Sequence, residues 1–374
     1  MSVVFHPTPR RLLVRGVNWL GDAVMTTPAL RRLREALPKA HIALLTPEKL
    51  ADLWVQHPAV DEIIAFQKDE SIFSVGKKLR AGKFELALVL PNSPRSALEV
   101  CFAGIPQRLG YARPWRNFFL TRAVAPRAAA VTMHKRTLAE IKNLTASASP
   151  SAVQTAYPKF AHQIFEYLHL AAAAGANSEP LAPQLVVTPA EIAAVKLKFN
   201  FGKAANGRAF FGVNPGAEYG PAKRWPVGKF IETMRKIREQ STGNWIIFGG
   251  RGDLALAQQI EKTFADGPSV FNLAGQTSLR ELMAALKLCH VLLTNDTGPM
   301  HVAAALGTPV VVPFGSTSSA LTGPGLPGDP QNQLIQSTAP CAPCFLRECP
   351  IDFRCMHDIE VGPVAAAVIA AAKL

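Results

Sequence analysis

Short apolar runs of three to five residues alternate along the chain with longer stretches whose apolar positions recur at helical spacing. Leu12-Leu13-Val14, Ile42 to Leu45, Ile63 to Phe66 and Leu86 to Leu90 read as strands. A glycine turn and a helix from about Ala23 to Leu37 separate the first two. Such a rhythm predicts a parallel sheet covered by helices.

The rhythm breaks between about Ala125 and Pro158, where Ala, Ser, Thr and Pro dominate and a flexible loop is expected. A helix from about Lys159 to Ala174 follows, then a Pro-containing linker from Gly175 to Pro189. A second series begins at Ala209 to Val213. It continues through Trp245 to Phe248, Val270 to Leu273, Val291 to Thr294 and Val310 to Pro313. A helix is expected over about Val227 to Arg238, and an Ala-rich one over Gly362 to Ala372. The expected class is α/β. Residues 1–178 form one doubly wound Rossmann-like domain, residues 186–345 a second, and residues 346–374 a Cys-rich tail with the last helix. Two such domains facing one cleft would bring their strand C-termini together.

Composition narrows the partners. The length of 374 residues suits two domains, and 48% hydrophobic content supplies two cores. A net charge of +13 favours an anionic partner, or else marks solvated helix faces. No nucleic-acid-binding signature occurs, so nucleic acid is not expected as a partner. No apolar run reaches the roughly 18 residues of a spanning helix, and the first residues do not read as a signal peptide. A cytoplasmic protein with reduced cysteines is expected.

The chemistry gathers where strands end. Arg15-Gly16-Val17-Asn18-Trp19-Leu20-Gly21-Asp22 superficially resembles a P-loop, but an Asp stands where phosphate binding needs Lys and then Ser or Thr. Nor is it a GxGxxG turn. It suits a general base, with Asp22 either that base or a plain helix cap. Asn214-Pro215-Gly216-Ala217-Glu218-Tyr219-Gly220-Pro221-Ala222-Lys223-Arg224-Trp225-Pro226 places two cations beside glycines that let a ligand approach the backbone. Gly249-Gly250-Arg251-Gly252-Asp253 offers an acid for ribose hydroxyls, or a second helix cap. Asn295-Asp296-Thr297-Gly298-Pro299-Met300-His301 enters a helix, so its free N–H groups and dipole suit a diphosphate. The alternative there is an Asp cap and a core histidine.

Two further stretches stay open. Cys341, Cys344, Cys349 and Cys355 fall within fifteen residues, as a structural zinc site or as reduced thiols or a disulfide pair. Pro91 to Ser96 and the basic, aromatic Arg108 to Phe119 form either a platform for an anionic amphipathic acceptor or a helix packing its rings inward.

Taken together, Gly-Asp-Ala-Val-Met-Thr-Thr-Pro-Ala-Leu from Gly21, Leu-Pro-Asn-Ser from Leu90, the run from Pro215 to Pro226, and Asn-Asp-Thr-Gly-Pro-Met-His-Val-Ala-Ala-Ala-Leu from Asn295 resemble the bacterial heptosyltransferases. These are the family-nine glycosyltransferases of the GT-B fold. The resemblance runs to about Gly325; the stretch from Ala125 to Ser151 looks inserted, and the four-cysteine tail is absent from some relatives. It implies an inverting enzyme with ADP-L-glycero-D-manno-heptose as donor and no metal at the diphosphate. The implied acceptor is a lipid A core carrying Kdo and one heptose, reached by peripheral contact with the inner membrane. Asp22 would be the base, and Lys223 with the Thr297-Gly298 helix start would stabilise departing ADP. Asp296 and His301 would orient the donor, which Asn214, Gly216, Ala217, Arg224, Gly250 and Asp253 would also line. Acceptor contacts fall to Asn18, Asn92, Ser93, Arg95 and Arg113. Family members that add heptose at other steps, other GT-B sugar-nucleotide enzymes and a non-catalytic anionic glycolipid-binding protein are the competing readings.

Overall fold

The computed structural model describes residues 8–128, 130–146, 157–158, 160–202, 208–265 and 270–372. Two compact units emerge: Met1–Ala130 with Phe160–Val186, and Val131–Lys159 with Val187–Leu374. Each is built on a six-stranded, wholly parallel sheet.

In the first unit the strands are β1 (Arg11–Arg15), β2 (His41–Pro47), β3 (Glu62–Phe66), β4 (Leu86–Val89), β5 (Gln107–Tyr111) and β6 (Arg122–Val124). Their order is β3-β2-β1-β4-β5-β6. The direction of winding reverses between β1 and β4, which pair with Arg15 opposite Val89. A reversal of this kind opens a crevice at the strand C-termini, where ligands bind in such folds. Both flanking turns carry predicted chemistry: Gly16 to Asp22 follows β1, and Pro91 to Ser96 follows β4.

The second unit repeats the plan. Its strands are β7 (Phe210–Asn214), β8 (Asn244–Ile247), β9 (Val270–Asn272), β10 (Val291–Thr294), β11 (Val310–Phe314) and β12 (Asn332–Gln336), in the order β12-β11-β10-β7-β8-β9. The reversal lies between β7 and β10, where Asn214 stands opposite Thr294. The turns from Pro215 and from Asn295 therefore leave adjacent strands.

The helix Leu20–Ala36 begins three residues before the expected start and contains Pro28. Proline has no N–H for the Val24 carbonyl. The Thr27 hydroxyl donates to that carbonyl at 2.8 Å and restores a partner, and the Thr26 hydroxyl donates to Ala23 O at 2.7 Å. The Thr-Thr-Pro run thus lets the helix pass through its proline.

The expected flexible loop is corrected in part. Leu138–Ala146 is a helix, and Ile141 is buried in the core of the second unit with Phe211, Trp225 and Trp245. Arg136 fastens the same segment, its backbone N–H donating to Cys344 O at 3.1 Å. Residues 147–156 and 159 of the sequence expectations, and the first seven residues, lie outside the described residues. The helix Ile164–Ala173 then returns to the first unit and packs along Leu20–Ala36.

His57 is buried beside Trp54 and accepts the Ala59 N–H through Nδ1. Burial pushes its pKa down from 6.5 to about 4. Above pH 6.5 the ring is neutral in both states and costs nothing. As pH falls from 6.5 to 4 only the unfolded chain takes up the proton, so stability is lost across that window, by roughly 3 kcal/mol in full. His57→Gln is expected to remove this portion of the acid slope. Urea unfolding at pH 7 and pH 4.5 checks it; an unchanged slope would contradict the burial argument.

Candidate active site

In the first unit, Asp22 is the third residue of its helix, and Trp19 occupies the cap position. The plain-cap reading therefore fails. The Gln163 side-chain amide donates to Asp22 Oδ1 at 3.1 Å and also reaches the Tyr167 hydroxyl at 2.8 Å. Burial, followed by the Asp22 charge, pushes the Tyr167 phenol well up, so it stays protonated beside the carboxylate. A half-buried carboxylate oriented by an amide, whose own proton inventory is fixed, has the form of a general base.

The turn that presents Asp22 is held by a buried ion pair. Arg15 Nε meets Glu99 Oε2 at 2.8 Å, with both side chains essentially inaccessible. Arg15 Nη1 donates to Gly16 O at 2.6 Å and Asn18 Oδ1 at 2.9 Å, leaving Asn18 exposed but anchored. Gly16 is closely packed: a Cβ there would lie 3.1 Å from Leu45 O and 3.3 Å from Leu44 Cδ1.

The other acceptor candidates separate. Ser93 caps the helix Pro94–Phe102, accepting the Ser96 N–H, and Arg95 pairs with Glu99 and with Glu70 O. These two have structural work. Asn92 is exposed, and its Oδ1 accepts from Arg116 Nη1 at 3.2 Å. Arg113 is half-buried, and its Nη1 donates to the neighbouring Ala112 O at 3.4 Å. Arg108 to Phe119 is not a helix. It is β5 followed by a turn and a short 3-10 helix, Asn117–Phe119, and its rings divide: Tyr111 is buried and Phe119 packs on the core, whereas Trp115 and Phe118 are exposed.

Arg116 escaped the sequence reading. Its side chain is fully buried, yet Nε and Nη2 have no hydrogen-bond partner. Burial, and then Arg113, push its pKa down to about 10. The Nε–Nη2 edge is the side-on donor pair that grips carboxylates and phosphates.

In the second unit the two switch-point turns are tied together. Asn295, fully buried, accepts the Trp225 N–H at 2.9 Å and donates to Pro215 O at 2.8 Å. Asn214 is also buried and donates to Thr294 Oγ1 at 3.0 Å, which joins the two strands. Ala217 is likewise buried.

Lys223 Nζ meets Asp296 Oδ2 at 2.6 Å, with the side chains only 14% and 5% exposed. The same oxygen accepts from Thr317 Oγ1 at 2.6 Å. The ammonium also lies over the Tyr219 ring. Asp296 is thus no cap. Thr297 takes the cap position of the helix Gly298–Ala305 without spending its side chain on the cap, and His301 is buried one turn on. A cation, a hydroxyl and an open helix N-terminus therefore share one switch point.

Asp253 holds its own turn, accepting the Gly250 N–H at 3.0 Å, and lies 3.7 Å from Arg224 Nη2. Gly216 is what lets it sit there, since a Cβ on Gly216 would fall 2.2–2.4 Å from the Asp253 carboxyl. Gly216→Ala is expected to displace Asp253 and weaken nucleotide binding about tenfold, with the fold retained. Calorimetric titration with ADP checks this; an unchanged affinity would remove Asp253 from the site.

The zinc expectation is corrected. Among the described residues no group of three or more His, Cys, Asp or Glu is placed to hold a metal ion. Cys341, Cys344, Cys349 and Cys355 are free thiols with local partners. Cys341 and Cys355 hydrogen-bond each other, which lowers Cys341 to about 7 and raises Cys355. Cys349 Sγ accepts the Phe353 N–H at 3.2 Å. The tail is packing material: Cys341, Cys344, Cys355 and Met356 join the core of the second unit, and Gly315 fits only because it lacks a Cβ, which would lie 2.2 Å from Met356 Sδ. Arg347 O accepts the Ala222 N–H at 3.1 Å, so the tail also braces the Lys223 turn.

Comparison with known proteins agrees with this layout. The model of glycosyltransferase family 9 (heptosyltransferase) matches residues 72–353. Lipopolysaccharide heptosyltransferase 2 of Escherichia coli K12 is 30% identical over 322 residues, 84% of this chain and 85% of that one. Lipooligosaccharide heptosyltransferase 2 of Haemophilus ducreyi is 30% identical over 84% of this chain and 86% of its own. Among solved structures, E. coli ADP-heptose lipopolysaccharide heptosyltransferase II superposes with TM-score 0.75 at 27% identity, covering 97% of this chain and 98% of that one. A family-nine glycosyltransferase from Veillonella parvula gives TM-score 0.77 at 19% identity over 100% and 99% of the two chains, which speaks for the fold. The fold is GT-B, and the chain belongs to glycosyltransferase family 9, the heptosyltransferases.

Proposed function

We propose that this glycosyltransferase moves L-glycero-D-manno-heptose from ADP-heptose to the first heptose of the lipopolysaccharide inner core. The observation that carries the reading is the 30% identity to heptosyltransferase 2 proteins along 84% of the chain. The site chemistry is compatible with it.

The donor binds the second unit. Its diphosphate meets Lys223 and the N–H groups at the start of the helix Gly298–Ala305. In the free protein Asp296 already holds the ammonium, so the cation is oriented before the donor arrives. As the bond from the anomeric carbon to the diphosphate breaks, negative charge grows on ADP, and preplaced cationic and dipolar groups lower that barrier. Asp253 is assigned to the ribose, and His301 and Thr297 to donor orientation.

Asp22 supplies the base. It removes the proton from the acceptor hydroxyl as that oxygen attacks the anomeric carbon from the side opposite ADP, which inverts the centre. Gln163 fixes the carboxylate for the transfer. Asn18, Asn92 and Arg113 contact acceptor sugar. We assign the work to the cytoplasmic face of the inner membrane, on the strength of the lipid-borne acceptor proposed here.

Mass analysis of core oligosaccharide from a strain lacking this protein tests the reading. Truncation after the first heptose is expected. A core lacking all heptose, or one extended past the second, would overturn the assigned step.

A further inference from the structure

Trp115 and Phe118 are 81% and 85% exposed. Single exposed apolar residues are ordinary, but two large rings three positions apart on one ordered turn are not. The turn holds them out. Asn117 Oδ1 accepts the Arg113 N–H at 2.9 Å, and the N–H groups of Phe119 and Leu120 close on Arg116 O and Asn117 O. Arg116 is anchored inward to Asn92, Leu120 is buried and Phe119 packs on the core. Trp115 itself sits at φ +64°, a left-handed conformation that a bulky residue adopts only under constraint. The alternation therefore sends Arg116, Phe119 and Leu120 inward and leaves Trp115 and Phe118 projecting.

From Gln107 to Arg127 the chain carries Arg108, Arg113, Arg116, Arg122 and Arg127 and no acid. The basic residues of this stretch are not all equivalent: Arg116 is buried and Arg127 pairs with Glu166 at 2.8 Å, which leaves Arg108, Arg113 and Arg122 half-buried near the surface. A protein partner with an apolar pocket would find little reason for such a stretch, whereas an anionic bilayer meets both features. Basic residues are drawn to acidic headgroups, and Trp and Phe settle at the depth where headgroups meet acyl chains. The turn also leaves the C-terminal end of β5, on the same sheet edge as the β1 turn that presents Asp22. An acceptor rooted in a bilayer would be delivered to that edge.

We infer that the Arg113–Phe118 turn is a membrane-docking wedge, with Trp115 and Phe118 entering the interface of an anionic bilayer. This rests on the lipid-borne acceptor proposed above for its purpose, but its test does not depend on it.

Co-sedimentation with vesicles of phosphatidylcholine alone and with added phosphatidylglycerol, without donor or acceptor, reads the docking directly. The wild-type chain is expected to bind the anionic vesicles, and Trp115→Ser/Phe118→Ser to bind them at least roughly tenfold less. Far-UV circular dichroism and unchanged ADP affinity keep a folding defect apart from a docking defect. With heptose transfer as a second readout, the variant should match wild type on a lipid-free core oligosaccharide and fall behind on acceptor embedded in vesicles. Wild-type protein that ignores anionic vesicles, or a variant that binds them equally well, overturns the wedge. Vesicle binding without any heptose transfer would leave the wedge standing and overturn the transferase reading instead.

Discussion

Asp22→Asn is expected to lower heptose transfer by about 10²–10⁴-fold while leaving ADP-heptose affinity within roughly twofold of wild type. The substitution keeps the size and the Gln163 contact in place but removes the basic lone pair. Asp22 belongs to the first unit and the donor turns to the second, so the donor equilibrium has no reason to move. Single-turnover kinetics with calorimetry separates the two effects. Gln163→Ala is the companion: the carboxylate stays but loses the amide that orients it, so kcat should fall by a smaller factor. Near-normal turnover by Asp22→Asn would remove it as the base.

Lys223→Met is expected to reduce transfer by roughly 10²–10³-fold and to weaken donor binding. It should also destabilise the fold, because Asp296 would be left as a 5%-exposed carboxylate that keeps the Thr317 hydroxyl but loses its cation. Breaking a buried pair by removing one partner costs about 3–5 kcal/mol. Lys223→Met/Asp296→Asn removes both charges and should recover most of that stability while remaining inactive. Thermal unfolding with and without ADP-heptose distinguishes the outcomes. A single variant as stable and as active as wild type would show that the pair serves neither purpose.

The sequence was legible where strands are buried on both faces, as in β1, β4, β7 and β10, because continuous apolar runs leave little choice. It was not legible at β5, where Gln107-Arg108-Leu109-Gly110-Tyr111 mixes polar and apolar positions, or at the sheet-edge strand β12. Their pairing is decided by neighbours far away in the chain. The helix Leu138–Ala146 was hidden by Ala and Thr composition and is fixed by burying Ile141 in the second unit. The motif carriers Asp22, Lys223, Asp296 and Thr297 could be found because they stand in strand-end turns. Gln163, Arg116, Asn295 and Thr317 could not be given their roles. Gln163 reaches Asp22 across 141 positions, and Arg116 declares itself only through a buried guanidinium whose Nε and Nη2 lack a hydrogen-bond partner. The cysteines misled because spacing alone does not show whether four sulfurs converge.

The most direct test of the central claim is a purified transfer assay with ADP-heptose and three acceptors: lipid A bearing Kdo alone, with one heptose, and with two. Product is expected from the one-heptose acceptor, with little from the other two. Transfer only to the heptose-free acceptor, or turnover of a different sugar nucleotide with none of ADP-heptose, would contradict the account.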